Sequence, residues 1–406
     1  MRQKLPTLDL KKSKKMALQP ASGARDLNPQ QVESNQKLSK TLSDIYRIWG
    51  YEEVSPPSVE RLDTLKAGGA IGSSEILRLV ANEPLGLRPE MTASIARAAC
   101  TRLSKRPRPL RLWSAGTVFK CRESVEGGIS IEENLHSGVE IFGVKGMEAE
   151  MELLSLLLKS VDILELNNIK KPVLLIGHTS LMDLILCQLE TAQKGIIRKS
   201  LIEYNRLGLE LQGTEANTLD YLLKIQGIRG LPTKVISSLS KIFSEESVLD
   251  SLRRIFEFIE PLAERYGIKI QLDPTFQPHY ELYNGLVFQL ICYSESTPIV
   301  IARGGRYDEL VKKCGAKGDL AAGLGFSFSL ENIQELNKYS DNDSSNETST
   351  LISYGPNSSL EKAIEKQGEI HQEGGIAILE LEKCKTKQDA RNLNNIRKCK
   401  KVIWLN

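Results

Sequence analysis

Apolar positions recur along this chain with two periods. Leu38, Leu42, Ile45, Tyr46 and Trp49 fall at i, i+4, i+7, i+8 and i+11, one stripe of a helix that begins near Pro29 and ends at Gly50. Met151, Leu154, Leu157, Leu158 and Val161 predict a second amphipathic helix over 148–163. A period of two takes over at Arg111–Lys120, at Glu132–Gly143 and at Gly285–Tyr293. In the last of these, Leu286, Phe288, Leu290 and Cys292 share one face, and Val287, Gln289, Ile291 and Tyr293 the other. Val173–Gly177, Pro298–Arg303 and the Gly-rich run from Leu320 also read as strands. Residues 180–265 read as nearly all helix, broken at Gly227–Pro232. Residues 337–350 are a polar linker. Beyond it, Leu351–Tyr354, Ile376–Leu381 and Val402–Leu405 predict short strands of parallel character, with a helix near 360–373.

This pattern predicts an α+β protein with five parts. They are a lead-in at 1–19, a sheet domain made of 20–179 and 266–336, a helical insertion at 180–265, a linker at 337–350 and a small α/β unit at 351–406. A chain of 406 residues, 41% hydrophobic and 26% charged, suits such a soluble globular protein. No apolar run reaches the roughly 20 residues a membrane helix needs. The seven cysteines are scattered without a CxxC pair, which argues against a zinc site and a disulfide framework and for reduced thiols in the cytoplasm. The net charge of +3 is unevenly placed: residues 1–15 carry six basic groups against Asp9, which leaves the remaining chain at −2. A slightly acidic body gives no net attraction to nucleic acid. The basic arm lacks the apolar core of a secretory signal and reads as a disordered lead-in, and Met16-Ala-Leu-Gln-Pro reads as a second natural start.

Candidate chemistry gathers at strand and helix ends. Glu90 and Thr92 stand where a strand meets Pro89 and a helix of small residues, so a carboxylate and a hydroxyl can face an ammonium group. Tyr280, Glu281, Tyr283 and Asn284 cluster at a strand entrance, where side chains can converge on a small polar molecule. The residues alone leave plainer readings open. Glu90 would serve equally as a first-turn carboxylate answering the helix dipole, and His136 as an ordinary polar strand residue.

Several stretches together resemble the histidyl-tRNA synthetases, a class II aminoacyl-tRNA synthetase family. Pro20-Ala-Ser-Gly-Ala-Arg-Asp-Leu-Asn-Pro29 is similar to that family's opening. The helix–Gly–strand–Pro order ending at Pro57 resembles motif 1, which in that class forms the dimer interface. Leu87-Arg-Pro-Glu-Met-Thr-Ala93 departs from the family pattern only at Met91. Arg111-Leu-Trp-Ser-Ala-Gly-Thr-Val-Phe-Lys120 resembles the start of motif 2, and Leu320–Ile333 resembles motif 3. Tyr283-Asn-Gly-Leu-Val-Phe288 with Gly304-Gly-Arg-Tyr-Asp308 is similar to the histidine-binding region. The resemblance implies a class II antiparallel sheet flanked by helices, and a histidine site made of Glu90, Thr92, Lys120, His136, Glu140, Tyr283, Arg306 and Tyr307.

The departures fall in one pattern. Residues that suit a histidine pocket are kept, whereas the cations that handle ATP are replaced: Lys120 stands for the motif 2 Arg, Pro278 for the catalytic Arg and Asn332 for the motif 3 Arg. Lys keeps the charge but not the bidentate fork. Lost cations remove several kcal/mol, by order of magnitude, of the stabilisation such chemistry needs. The 56 residues after the linker are also fewer than the roughly hundred of an anticodon-binding domain. The chain thus resembles the family of ATP phosphoribosyltransferase regulatory subunits. That resemblance implies a non-catalytic protein without a cofactor or metal. Its partners would be a short-form ATP phosphoribosyltransferase catalytic subunit, histidine as feedback ligand, and a second copy joined through the motif 1 region. tRNA is not expected. The alternatives are a divergent but active histidyl-tRNA synthetase and a tRNA-sensing binding module.

Overall fold

The computed structural model describes residues 20–406 except 70, 124–127, 167–169, 188, 211–215, 244–246, 280, 296 and 338–348. The predicted lead-in, Tyr280 and most of the predicted linker therefore lie outside the described residues. The chain divides into two compact units, Met1–Leu336 and Asn337–Asn406.

In the first unit, helix α1 (Pro29–Ile48) opens with a capping box. Asn28 Oδ1 accepts from the Gln31 N–H at 2.8 Å, and Gln31 Oε1 accepts from the Asn28 N–H at 3.0 Å. The helix stops at Gly50, whose φ of +81° suits a residue without a Cβ. Strands β1 (Glu52–Glu53), β2 (Val59–Arg61) and β3 (Leu85–Leu87) follow, with helix α2 (Leu62–Lys66) between the last two. The strand expected over Tyr51–Pro57 shrinks to two residues, because Pro56 and Pro57 have no N–H to donate to a ladder. Helix α3 (Thr92–Cys100) leads to two long strands, β4 (Leu110–Glu123) and β5 (Ile129–Phe142), and to helix α4 (Met147–Ile163). After β6 (Val173–His178) come, among the described residues, the helices α5 (Thr179–Leu186), α6 (Thr191–Ile202), α7 (Arg206–Glu210), α8 (Ala216–Gln226), α9 (Pro232–Leu239) and α10 (Ser247–Arg265). Strands β7 (Lys269–Leu272), β8 (Leu286–Ser294) and β9 (Thr297–Arg306), helix α11 (Asp308–Lys313), strand β10 (Gly323–Ser329) and helix α12 (Leu330–Asn337) complete the unit.

The eight-stranded sheet runs β1-β4-β5-β10-β9-β8-β6-β7. Its end pairs β1/β4 and β6/β7 are parallel, and every pairing between them is antiparallel. One face carries the main core, with Trp113, Val139, Ile141, Phe288, Phe326 and Phe328 meeting Tyr46 of α1 and the leucines of α4. Leu153, Leu154, Leu156, Leu157 and Leu158 are all fully buried, so α4 is apolar well beyond one stripe. The helices from α6 to α10 send Ile197, Leu201, Leu222, Ile236, Phe256 and Ile259 into this same core rather than forming one of their own. The other face of the sheet packs against α3 and α11 through Leu112, Val118, Phe142, Ile95, Leu310 and Val311.

The second unit is a parallel three-stranded sheet, β12-β11-β13, built from β11 (Ser349–Tyr354), β12 (Ile376–Leu379) and β13 (Lys401–Leu405). Helix α13 (Leu360–Gln372) joins the first two strands in sequence. Helix α14 (Lys387–Arg397) has no apolar stripe to announce it; its stability starts from a Thr386–Asp389 capping box.

Candidate functional site

Strand alternation prepares the site. On the α3/α11 face of the sheet, β10 presents Gly325, Ser327 and Ser329. Their cross-strand partners on β5 are Glu140, Gly138 and His136, and on β9 Gly305 faces Gly325 and Arg303 faces Ser327. Apolar residues fill this face beside α3 and α11, and polar ones collect where β4, β5, β10 and β9 run side by side. Here a cavity of about 120 Å³ opens among Glu90, Thr92, Lys120, His136, Tyr283, Arg303, Tyr307 and Ser327. One enclosed water needs roughly 10–15 Å³ of such space, so the cavity suits a molecule of amino-acid size rather than a nucleotide.

Glu140 organises one wall from behind. It is 4% exposed and does not line the cavity. The Thr92 hydroxyl donates to its Oε1 at 2.8 Å, and the Tyr307 hydroxyl donates to Oε2. When Glu140 is ionised, each hydroxyl has its proton committed to the carboxylate, and its oxygen is left to accept from a ligand N–H. Burial pushes the Glu140 carboxyl up to about 8, against the opposing pull of those two hydrogen bonds. The carboxylate fits because its neighbour on β10 is glycine: a Cβ on Gly325 would fall 1.7 Å from Glu140 Oε2. Tyr283 likewise rests against Gly305, where a Cβ would lie 2.6 Å from its ring.

Glu90 does both things the sequence allowed. It accepts from the Thr92 N–H and, at 3.0 Å, from the Ala93 N–H, so it caps α3 while also lining the cavity. Burial raises its carboxyl, and the two backbone donors oppose the rise. Two cations, Lys120 and Arg303, also line the cavity. Burial lowers both Lys120 and Arg303 from their ordinary values, and each electrostatically disfavours the neutral His136 from taking a proton. Neither has a salt-bridge partner among the described residues. His136 is held down to about 4, mainly by burial, and is therefore a neutral ring at pH 7. Its Nδ1 lies 3.4 Å from Ser327 Oγ. The cavity thus carries one acidic group, Glu90, and two basic ones, Lys120 and Arg303, the two signs of charge that a zwitterion needs.

The structure brings together Glu90, Thr92, Lys120, His136, Tyr283 and Tyr307, with Glu140 one layer behind them. It does not bring in Arg306, which corrects that expectation. Arg306 is three positions along the strand from Arg303, an odd step, so its side chain emerges on the opposite face. There it pairs with Glu150 of α4 at 2.9 Å and donates to the Val144 carbonyl at 3.0 Å. The cation on the cavity side is Arg303, which the sequence reading passed over; the same period-two alternation would have found it. Asn332, at the motif 3 position, donates from Nδ2 to the Val300 carbonyl at 2.8 Å and so ties α12 to β9.

Comparison with known proteins bears on this arrangement. The family described as histidyl-tRNA synthetase matches residues 23–333. Two "ATP phosphoribosyltransferase regulatory subunit" proteins are similar over 390 residues, 96% of this chain and 100% of each relative: that of Prochlorococcus marinus (strain MIT 9313) at 56% identity and that of Synechococcus sp. (strain CC9902) at 50%. Among solved structures, an ATP phosphoribosyltransferase regulatory subunit/histidyl-tRNA synthetase from Bacillus halodurans C superposes with a TM-score of 0.79 at 22% identity, covering 95% of this chain and 98% of that one. The histidyl-tRNA synthetase of Nostoc sp. PCC 7120 gives 0.74 at 17% identity, covering 94% and 89%. At such identities the solved structures speak for the fold, which is the expected class II sheet with flanking helices.

Proposed function

Because this chain belongs to the ATP phosphoribosyltransferase regulatory subunits, within the histidyl-tRNA synthetase family, we propose that it binds histidine in the cavity at Glu90, assembles with the short-form catalytic subunit, and carries feedback inhibition without catalysing a reaction itself. The observation that carries the reading is the pairing of an amino-acid-sized zwitterion pocket with nucleotide positions put to other use. Glu90 offers a carboxylate to the α-ammonium group. Lys120 and Arg303 offer charge to the α-carboxylate. The oxygens of Thr92 and Tyr307, oriented by Glu140, accept from the imidazole N–H. By contrast, the motif 3 position is an Asn engaged with backbone, and Pro278 stands where the synthetases hold a cation.

Regulation then follows from linkage. Histidine lowers the activity of the complex to the extent that it prefers the less active state, and the active state weakens histidine binding by the same factor. Self-association through the motif 1 region is part of this proposal.

The test is histidine- and ATP-dependent pyrophosphate exchange by the purified protein, with histidine binding measured by calorimetry on the same sample. Binding without exchange is expected. A short-form phosphoribosyltransferase added next should gain activity that histidine suppresses. One observation favours a second reading, an active divergent synthetase: Arg303 returns a cation to the cavity. Exchange at a synthetase-like rate would establish that reading instead. A tRNA gel shift at moderate salt addresses the third, tRNA-sensing possibility.

A further inference from the structure

The segment between β7 and β8 carries one wall of the cavity, which His279, Leu282 and Tyr283 line. The Leu282 and Tyr283 N–H groups both donate to the His279 carbonyl, at 2.9 and 3.3 Å, so these residues share one turn. Both feet of that turn meet Thr179 at the start of α5. Gln277 Nε2 donates to the Thr179 carbonyl at 3.2 Å, and the Thr179 N–H donates to the Gly285 carbonyl at 3.0 Å. The place of Tyr283 in the cavity therefore depends on how Gln277 is held.

Gln277 is held from the helices between β6 and β7. It is 1% exposed. Arg198 of α6 donates from Nη1 to Gln277 Oε1 at 2.9 Å, and from Nη2 to Asp183 of α5. A guanidinium only donates and a carbonyl only accepts, so Arg198 and Thr179 together fix which way the Gln277 amide faces. Losing Arg198 takes this donor from a buried oxygen, and a flipped amide would set oxygen against oxygen at Thr179.

The upstream part of the segment is gripped in the same way. Tyr204, two residues past α6, donates its hydroxyl to Asp273 Oδ2. Asp273 is buried, and its Oδ1 accepts from the Thr275 N–H at 2.9 Å and from the Thr275 hydroxyl at 2.8 Å. The neighbouring Leu272 exchanges two backbone hydrogen bonds with Gly230, at 2.7 and 3.1 Å. These contacts tie residues 272–277 to the helices between β6 and β7, and neither Arg198 nor Tyr204 lines the cavity.

We propose that Arg198 and Tyr204 are positioning residues for the ligand: from outside the cavity they clamp residues 272–277 and so keep Tyr283 in its binding-competent place. A turn that is in place only part of the time raises the apparent Kd by the reciprocal of that fraction. By linkage, a bound ligand strengthens the clamp by the same factor, so these helices both set the affinity and respond to occupancy.

The clamp stands apart from the histidine reading; its effect on affinity rests on that reading. Hydrogen–deuterium exchange on the full-length empty chain tests the first, and calorimetry with histidine the second. Arg198→Met and Tyr204→Phe should each speed exchange in peptides covering 273–285 and leave peptides from β10 unchanged. Arg198→Met should raise the histidine Kd roughly tenfold. In a Tyr283→Ala background the same substitution should raise it about threefold or less, because the side chain it places is gone; in an Arg303→Met background it should keep its full effect. A merely structural role would cost the same in both backgrounds. Thermal melting checks that each variant folds, and Tyr204→Phe, which removes one oxygen from an exposed ring, carries the test if Arg198→Met does not. Unchanged exchange over 273–285 in both variants would overturn the clamp. An unchanged Kd, or equal effects in the two backgrounds, would overturn the positioning role. Faster exchange in a chain that binds no histidine even when unaltered would instead overturn the function proposed above, with the clamp upheld.

Discussion

At the scale of single residues, Glu140 concentrates the physics of the site. A carboxylate buried this fully costs free energy to ionise, and two hydroxyl donors recover only part of that cost. Its folded value of about 8 stands above the 4.5 of a free side chain, so the empty protein holds a proton that the unfolded chain releases. The stabilising contribution is complete below pH 4.5 and is lost as pH rises through about 8. Glu140→Gln should therefore flatten the fall in stability of the empty protein between about pH 4.5 and about pH 8, an effect on the order of a few kcal/mol in denaturant titrations. The amide keeps the shape but offers one acceptor atom where the carboxylate had two. Histidine affinity should drop on the order of tenfold or more, read by calorimetry at fixed pH. Arg303 gives a sharper test of the ligand's orientation. Arg303→Met should weaken histidine by roughly tenfold to a hundredfold while leaving histidinol, which has no carboxylate, nearly unaffected. Equal losses for both ligands would remove Arg303 from the carboxylate.

At the scale of elements, strand parity decides membership of the site. Arg303 and Arg306 differ by one odd step along β9, and that step sends one guanidinium into the cavity and the other to Glu150. A motif read as a string of letters does not carry this information, although the alternation that does was visible in the sequence. The same parity makes β10 a strand of small residues on its polar face and large ones on its core face, with Phe326 and Phe328 in the core. Gly325→Ala should cost about 1–3 kcal/mol or more in chemical denaturation and abolish histidine binding, because the added methyl occupies the space of the Glu140 carboxylate and the Val139 carbonyl. Retained stability and affinity would mean that the β5–β10 spacing gives way. Helix α14 carries the opposite lesson. Only Ala390 is buried in it, so no period of apolar residues could announce it, and its cap was the one available signal.

At the scale of the whole molecule, the proposed loss of catalysis extends beyond three side chains. Asn332 is part of the contact between α12 and β9, and the position cannot regain an Arg without giving up that tie. Combined Asn332→Arg and Pro278→Arg substitution should leave pyrophosphate exchange at background while histidine still binds; recovered exchange would show that the scaffold had kept the rest of the machinery. Histidine at a hundred times its Kd should stabilise the protein by about 2.7 kcal/mol, visible as a rise in melting temperature that disappears in Glu90→Gln.

The sequence by itself determined the kind and order of the strongly periodic elements and the face of each that would be buried, because those follow from periods of 3.6 and 2 acting over a few residues. It also placed Glu90 and Thr92 at one helix start, through a motif whose residues lie close together in the chain. Tertiary structure decided what those residues meet. Glu140 is reached from Thr92 across 48 positions and from Tyr307 across 167, and it works from behind the wall rather than on it. The helices after β6, expected as a helical insertion, share the main core because their apolar stripes pack against one another and against α4 and β7. Local pattern fixes which way a side chain points from its own backbone. Its partner is set by register and packing between segments distant in the chain, and no local period encodes that.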